Sequence, residues 1–211
     1  MDPKLKEILE RLEKEGMSIR SASVVASSLD EKTRSIEGVF SDETPVDVWD
    51  WESGGIVKEI LLSDGYEMAG QIPFLDSHNR WSVKQQLGSA RNMKAENKQL
   101  VGRVYFGNTP DAEAAYSLAK DRHLTDLSIG YRPMESRNLV AGEKYTHKDG
   151  RTFEGPVRVV TRTLVKEVSL TPIGANVFAK LRSAAPGIDE ILKLRKENED
   201  LKQVIRILTI K

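Results

Sequence analysis

Along most of the chain, hydrophobic and polar residues alternate with a period of two, the spacing of a half-buried strand. In "KQLVGRVYFG", Leu100, Gly102, Val104 and Phe106 fall on one face and Val101, Arg103 and Tyr105 on the other. "TRSIEGVFS" and "VDVWDW" alternate in the same way, and "SGGIVKEILL" follows a Gly-Gly turn. "LTDLSIGYRP" predicts a strand ended by Pro133, and "GEKYTHKDGRTFEG" a hairpin around Asp149-Gly150. "VRVVTRTLVKEVSLT" predicts a long strand pair or one bent strand. "DVWDWESGG", with two tryptophans among acids, reads as a half-buried edge strand. One internal helix stands out in "NTPDAEAAYSLAKDRH". Thr109 caps it, Pro110 takes its first position, Asp111 and Glu113 suit its positive end, and Lys120 and Arg122 its negative end. Many strands around one clear internal helix predict an α+β fold, a β-barrel or closed sheet with helices packed outside it.

The ends of the chain follow a different period. Residues 2–15 predict a short amphipathic helix, with Pro3 in its first turn, a stripe of Leu5, Ile8, Leu9 and Leu12, and Gly16 as its stop. "RSAAPG", residues 182–187, reads as a linker. Beyond it Ile191, Asn198 and Ile205 alternate with Leu194, Leu201 and Leu208, the heptad pattern of a parallel two-stranded coiled coil. The expected layout is an N-terminal helix over 1–16, one domain over 17–181, the linker, and a coiled-coil helix over 188–211 that makes a homo-oligomer. A last helix docked on its own domain, and terminal helices added by engineering, are the alternatives.

Composition narrows the chemistry. The 211 residues suffice for one medium domain with appendages, and 39% hydrophobic with 30% charged residues suits a globular chain. Thirty-two basic residues balance thirty-two acidic ones, so nucleic acid is not an expected partner. The absence of cysteine excludes disulfides, thiolate metal sites and thiol nucleophiles, and suits a reducing compartment such as a bacterial cytoplasm. No apolar run approaches the roughly 20 residues a bilayer requires, so no membrane is expected. No Gly-rich phosphate loop, HExxH pair or EF-hand occurs, so no metal or cofactor is expected. Ser, Thr, His, Asp, Glu, Lys and Tyr remain to carry any reaction.

Of the three histidines, His78 lies in a polar turn after an apolar run, in "PFLDSHNRWSVKQQLGSA". Ser128 sits in the apolar "DLSIGY", two positions before Gly130, which would let backbone and substrate approach closely. Glu167 is an acid within the otherwise apolar "LVKEVSLTPIGAN", where an ionised carboxylate needs a partner. Each has an ordinary reading: a solvated histidine, a strand serine bonding its neighbours, and an exposed-face glutamate paired with Lys166 or a nearby arginine. Together they offer a base, a nucleophile and an acid that fixes the imidazole tautomer. His147, in the hairpin tip, is the alternative third member, although a mobile, solvated tip suits an orienting residue poorly. His123 reads as a helix-terminal histidine.

The His of "LDSHNRWSV", the Ser of "LSIGYRP" and the "EVSLTPIGAN" ending occur in the order found in the prohead proteases of tailed bacteriophages. That family is similar in fold and mechanism to assemblin, the herpesvirus capsid-maturation protease. The resemblance covers roughly residues 33 to 180. It implies that His78 is the base, Ser128 the nucleophile and Glu167 the third member, with oxyanion-binding amides near Gly174, Ala175 and Asn176. It also implies a serine endopeptidase that acts inside the assembling prohead in the host bacterial cytoplasm. Its partners would be the major capsid protein and the scaffold segment, with the protease itself a further substrate; the small-residue "RSAAPG" linker is, by its composition, the candidate self-cleavage site. The competing expectation is a non-catalytic capsid assembly or scaffold protein dimerised by its coiled coil.

Overall fold

The computed structural model describes residues 18–50 and 54–172, with residues 18–27 described by their backbone. The N-terminal helix expected over 1–16, the linker, the coiled coil and the loop holding Gly174, Ala175 and Asn176 lie outside the described residues.

Twelve strands, one α-helix and two single-turn 3-10 helices (Ser63–Gly65 and Val83–Gln85) are described: β1 (Ser18–Asp30), β2 (Ser35–Asp42), β3 (Val46–Asp50), β4 (Gly55–Leu61), β5 (Tyr66–Glu67), β6 (Gln71–Asp76), β7 (Gln86–Glu96), β8 (Gln99–Phe106), α1 (Pro110–Lys120), β9 (Asp126–Leu139), β10 (Lys144–Thr146), β11 (Thr152–Glu154) and β12 (Val157–Thr171). β8 buries every second residue, as its alternation requires. β7 escaped the sequence reading because its second half is exposed and polar, leaving too few apolar positions to show a period.

Ten strands form one mixed sheet in the order β3-β4-β12-β6-β7-β8-β2-β1-β9, with β5 beside β12 and β9 also pairing with β12. It is not the simple closed barrel with several packed helices that the pattern suggested. β3 and β4 extend it beyond β12 to an edge, where Trp49 is half-exposed as expected, and one helix packs on it among the described residues. β10 and β11 form the expected separate hairpin, turning through Gly150 in the left-handed region.

β9 does not stop at Pro133 but runs on to Leu139. Pro133 faces Thr163 beside a register shift, and such an irregularity accepts a residue that cannot donate to the ladder. β12 is one long strand, parallel to β4, β5 and β6 in turn and antiparallel to β9 along its length.

The core lies on the sheet's inner face and includes Ile36, Phe40, Leu61, Phe74, Leu100, Leu127, Ile129 and Leu170. Each such side chain contributes about 1.5–3 kcal/mol on burial. Phe74 meets Phe106 edge-on at 5.1 Å, and Phe106 meets Tyr116 of α1 at 5.3 Å. α1 turns Ala115, Tyr116 and Ala119 to this core and buries Ala112 as well. Its start follows the expected signals: the Thr109 hydroxyl accepts from the Ala112 amide, and Pro110 opens the helix.

Candidate active site

Register decides which side chains face away from the core. Phe74 pairs with Val168, and both are inward members of the core. Glu167 and Ser169, one position to either side of Val168, therefore point outward. On β9, Leu127, Ile129 and Tyr131 are inward, so Ser128 and Gly130 share that outward face. The two strands pair Ser169 with Ser128 and Glu167 with Gly130. Between Val165 and Glu167 the register slips by one, leaving Lys166 as an extra residue that resets the alternation. Without this bulge, Glu167 would follow Val165 into the core.

His78 arrives from the turn after β6. Ser77 and His78 both adopt left-handed backbone, with φ of 48° and 60°. For non-glycine residues this costs on the order of 1–3 kcal/mol each and persists only where surroundings enforce it. The enforcing contacts are clear. The Ser77 amide donates to the Leu170 carbonyl at 3.0 Å, the Asn79 amide to the Asp76 carbonyl at 2.8 Å, and the His78 amide to the Ser169 hydroxyl at 3.0 Å.

These elements bring His78, Ser128 and Glu167 together. His78 Nδ1 lies 2.6 Å from Glu167 Oε1, and Nε2 lies 2.8 Å from Ser128 Oγ. An ionised carboxylate only accepts, so the proton sits on Nδ1 and Nε2 is left as the acceptor facing the serine hydroxyl. Ser169 Oγ donates to the second carboxylate oxygen, Oε2, at 2.7 Å. Relative exposures are 7% for His78, 1% for Ser128 and 4% for Glu167. The buried carboxylate thus has donors on both oxygens and avoids the penalty of an unmatched buried charge. Glu167 does not make the surface pair with Lys166 that was its ordinary alternative; its partners are His78 and Ser169.

Two contributors were not singled out in these roles by the sequence. Ser169 holds Glu167 and the His78 amide at once. Gly130 lies under the Glu167 side chain: a Cβ there would come within 2.1 Å of Oε1. The spacing by two, Ser169 after Glu167 and Gly130 after Ser128, marks a shared strand face, but the contacts themselves depend on the β9–β12 register.

His147, the alternative third member, lies elsewhere. Its Nε2 meets Asp64 Oδ2 at 3.0 Å and its Nδ1 the Tyr145 hydroxyl at 3.1 Å. It is buried rather than solvated, because Asp64 and Tyr145 pin the hairpin tip against the body. Burial opposes ionisation of Asp64, but hydrogen bonds from Lys148 and His147 outweigh it and hold the carboxyl below its ordinary value. A second buried polar group joins Tyr131, Glu59, Arg158 and Asp50, with both Arg158 contacts at 2.6 Å. It ties β3, β4, β9 and β12 together.

Among the described residues no group of three or more His, Asp or Glu side chains is placed to hold a metal ion, and no helix is long and apolar enough to cross a membrane. The outward group can perform nucleophilic acyl transfer: a hydroxyl, a base in contact with it, and an acid that orients the base. A family model described as caudovirus prohead serine protease matches residues 25–193. No curated protein and no solved structure matches the chain.

Proposed function

The chain belongs to the caudovirus prohead serine proteases, and from that membership we propose a capsid-maturation endopeptidase in which Ser128 is the nucleophile, His78 the base and Glu167 the orienting acid. The observation that carries this assignment is the continuous hydrogen-bond chain from Ser128 Oγ through both His78 nitrogens to Glu167. Ser128 Oγ attacks the peptide carbonyl while its proton passes to His78 Nε2. The carbonyl π bond breaks as the new C–O bond forms, and the imidazolium so created is stabilised by the Glu167 carboxylate. Collapse of the adduct expels the amine, which takes the proton from Nε2 and leaves an acyl ester on Ser128. Water then attacks the ester, giving its proton to Nε2, and the departing Oγ recovers it.

The proposed substrates are the scaffold segment, the major capsid protein's N-terminal segment, and the chain itself, cut inside the assembling prohead in the bacterial cytoplasm. The linker 182–187 is the proposed self-cleavage site, and the heptads of 188–211 would hold the uncut chains together. The amides of Gly174, Ala175 and Asn176 are proposed to bind the oxyanion.

The test is expression of wild type and Ser128→Ala with the cognate capsid and scaffold proteins, followed by intact-mass spectrometry. Wild type is expected to cut them and to release from itself a C-terminal fragment of about 25 residues, if the small-residue stretch 182–187 is the cleavage site. Ser128→Ala should lose at least about 10³-fold in rate. Equal products from both chains, or uncut proteins beside a folded wild type, would overturn the assignment in favour of a non-catalytic assembly protein.

A further inference from the structure

A cavity of about 200 Å³ opens on the outward face beside the Ser128–His78–Glu167 group, with Glu167 itself in one wall. Pro73 and Leu75 of β6 and Val83 of the following single-turn helix supply apolar lining. Leu75 is buried although it is no member of the inner core, and Val83 is an apolar side chain left 89% exposed. The polar lining groups are already committed. The Ser82 hydroxyl accepts from the Lys84 amide at 3.3 Å, and the Gln86 side-chain amide donates to the Gly88 carbonyl at 3.1 Å. Both Glu167 oxygens are engaged by His78 and Ser169. Arg80 turns Nε and Nη2 away from solvent and holds its guanidinium 5.1 Å from the Trp81 ring centre. Lys166 is exposed and lines the same cavity as the Glu167 carboxylate, so it offers no isolated charge to a ligand.

We propose that this cavity is a substrate subsite that selects an aliphatic side chain, such as leucine, on the leaving-group side of the scissile bond. The proposal rests on the protease assignment above. The volume lies below the about 300–1,000 Å³ of a pocket for a whole small ligand and suits one side chain. An aliphatic group entering it leaves water for Pro73, Leu75 and Val83, whereas a charged group would give up its hydration for polar atoms that are already bonded. Mechanism decides the side. His78 Nε2 gives its proton to the departing amine, so the segment that leaves must cross the imidazole. That ring spans from Ser128 on β9 to Glu167 on β12, and β6, with Pro73 and Leu75, lies next beyond β12. Neighbouring strands are about 4.8 Å apart, which sets the β6 floor about 10 Å from β9. An extended peptide covers that span in about three residues, at about 3.3 Å each. The selected side chain is therefore one of the first three after the cut.

The experiment uses the full chain and a library of randomised octapeptides, with cut positions read by mass spectrometry. Wild type should enrich Leu, Ile, Val and Met at one fixed position among the first three after the cut. Leu there should exceed Ala by about tenfold in kcat/KM, the low end for methylenes added in an apolar pocket. Val83→Glu, a change at an exposed rim position, should lower that ratio and raise Lys and Arg at the same position. Leu75→Ala deepens the floor and should move the preference from Leu to Phe. Cleavage without aliphatic enrichment, enrichment only before the cut, or a Leu preference unchanged in Val83→Glu would overturn the subsite while leaving the protease intact, whether or not Leu75→Ala folds. Failure of wild type to cut any peptide would remove the protease assignment and the subsite with it.

Discussion

Gly130 sets the tightest tolerance around the candidate site. Its partner across the ladder is Glu167, whose carboxylate occupies the space that any side chain at 130 would fill. Gly130→Ala is therefore expected to push Glu167 away from His78, and a displacement of about 1 Å costs about 10²-fold in rate. The atoms it meets belong to a side-chain end rather than to backbone, so the melting temperature should fall little. Fluorophosphonate labelling of Ser128, compared with thermal melts, separates the two effects. Ser169→Ala acts on the same carboxylate from its other oxygen. Ser169 is fully buried and out of reach of substrate, so kcat should fall by about 10- to 100-fold, the worth of a hydrogen bond to a charge, with KM unchanged. His78, Ser128 and Glu167, which the structure brings together, were singled out in the sequence by their residue types and by an order that resembles the prohead proteases. The contacts of Gly130 and Ser169 were not legible, since nothing in a glycine or a strand serine reveals which side chain crosses it until the register of β9 against β12 is known.

At the scale of elements, β12 and the β10–β11 hairpin show different limits of sequence reading. The alternation of β8 and the cap of α1 are local and were read correctly. The bulge at Lys166 is not local: "LVKEVSL" looks like an unbroken strand, and only pairing with β9 shows where one residue is left over. The end assigned at Pro133 failed for the same reason. The hairpin was placed correctly, but its tip was expected to be mobile. Instead Arg151 bonds Glu43 and Asp149, while Glu43 Oε1 also accepts from the Ser63 amide at 2.9 Å and from its hydroxyl at 2.7 Å. Burial works against ionisation of Glu43, yet the Arg151 and Ser63 contacts prevail and lower its pKa from 4.5, as Asp64 is lowered from 3.8. A carboxyl lowered in the folded state contributes stability that is present above its unfolded value and lost as pH falls through the folded one. The clamp should therefore hold at neutral pH and loosen as pH falls below about 3.8, the lower of the two ordinary carboxyl values. Hydrogen exchange of the hairpin amides across pH 3 to 7 should show protection lost in that acid window while the amides of β8 stay protected.

Across the whole molecule, one sheet carries an apolar inner face and a polar working face back to back. Phe74 and Val168 face each other in β6 and β12, each next to a strand residue or turn that builds the site. Phe74→Ala is expected to cost about 3–5 kcal/mol, the range for a buried aromatic cut to methyl. Chemical denaturation should show the loss as a lower midpoint at an unchanged slope. The sequence carried the predominance of strands and the single internal helix, because both follow from local periodicity. It could not carry the order of the strands, which depends on pairings between distant segments.

That order has a consequence for the life of the chain on the ribosome. His78 and Glu167 are 89 positions apart, and β12, which supplies Glu167 and Ser169, is the last described strand to be made. At about 5–20 residues per second, several seconds of synthesis separate the imidazole from its acid. Once Ser128 has been added, the nascent chain holds that serine and His78 with no Glu167 yet beside them. Assembly of the proposed catalytic group is thus timed by the topology, and Ser128, His78 and Glu167 cannot come together until nearly all of the described fold has emerged.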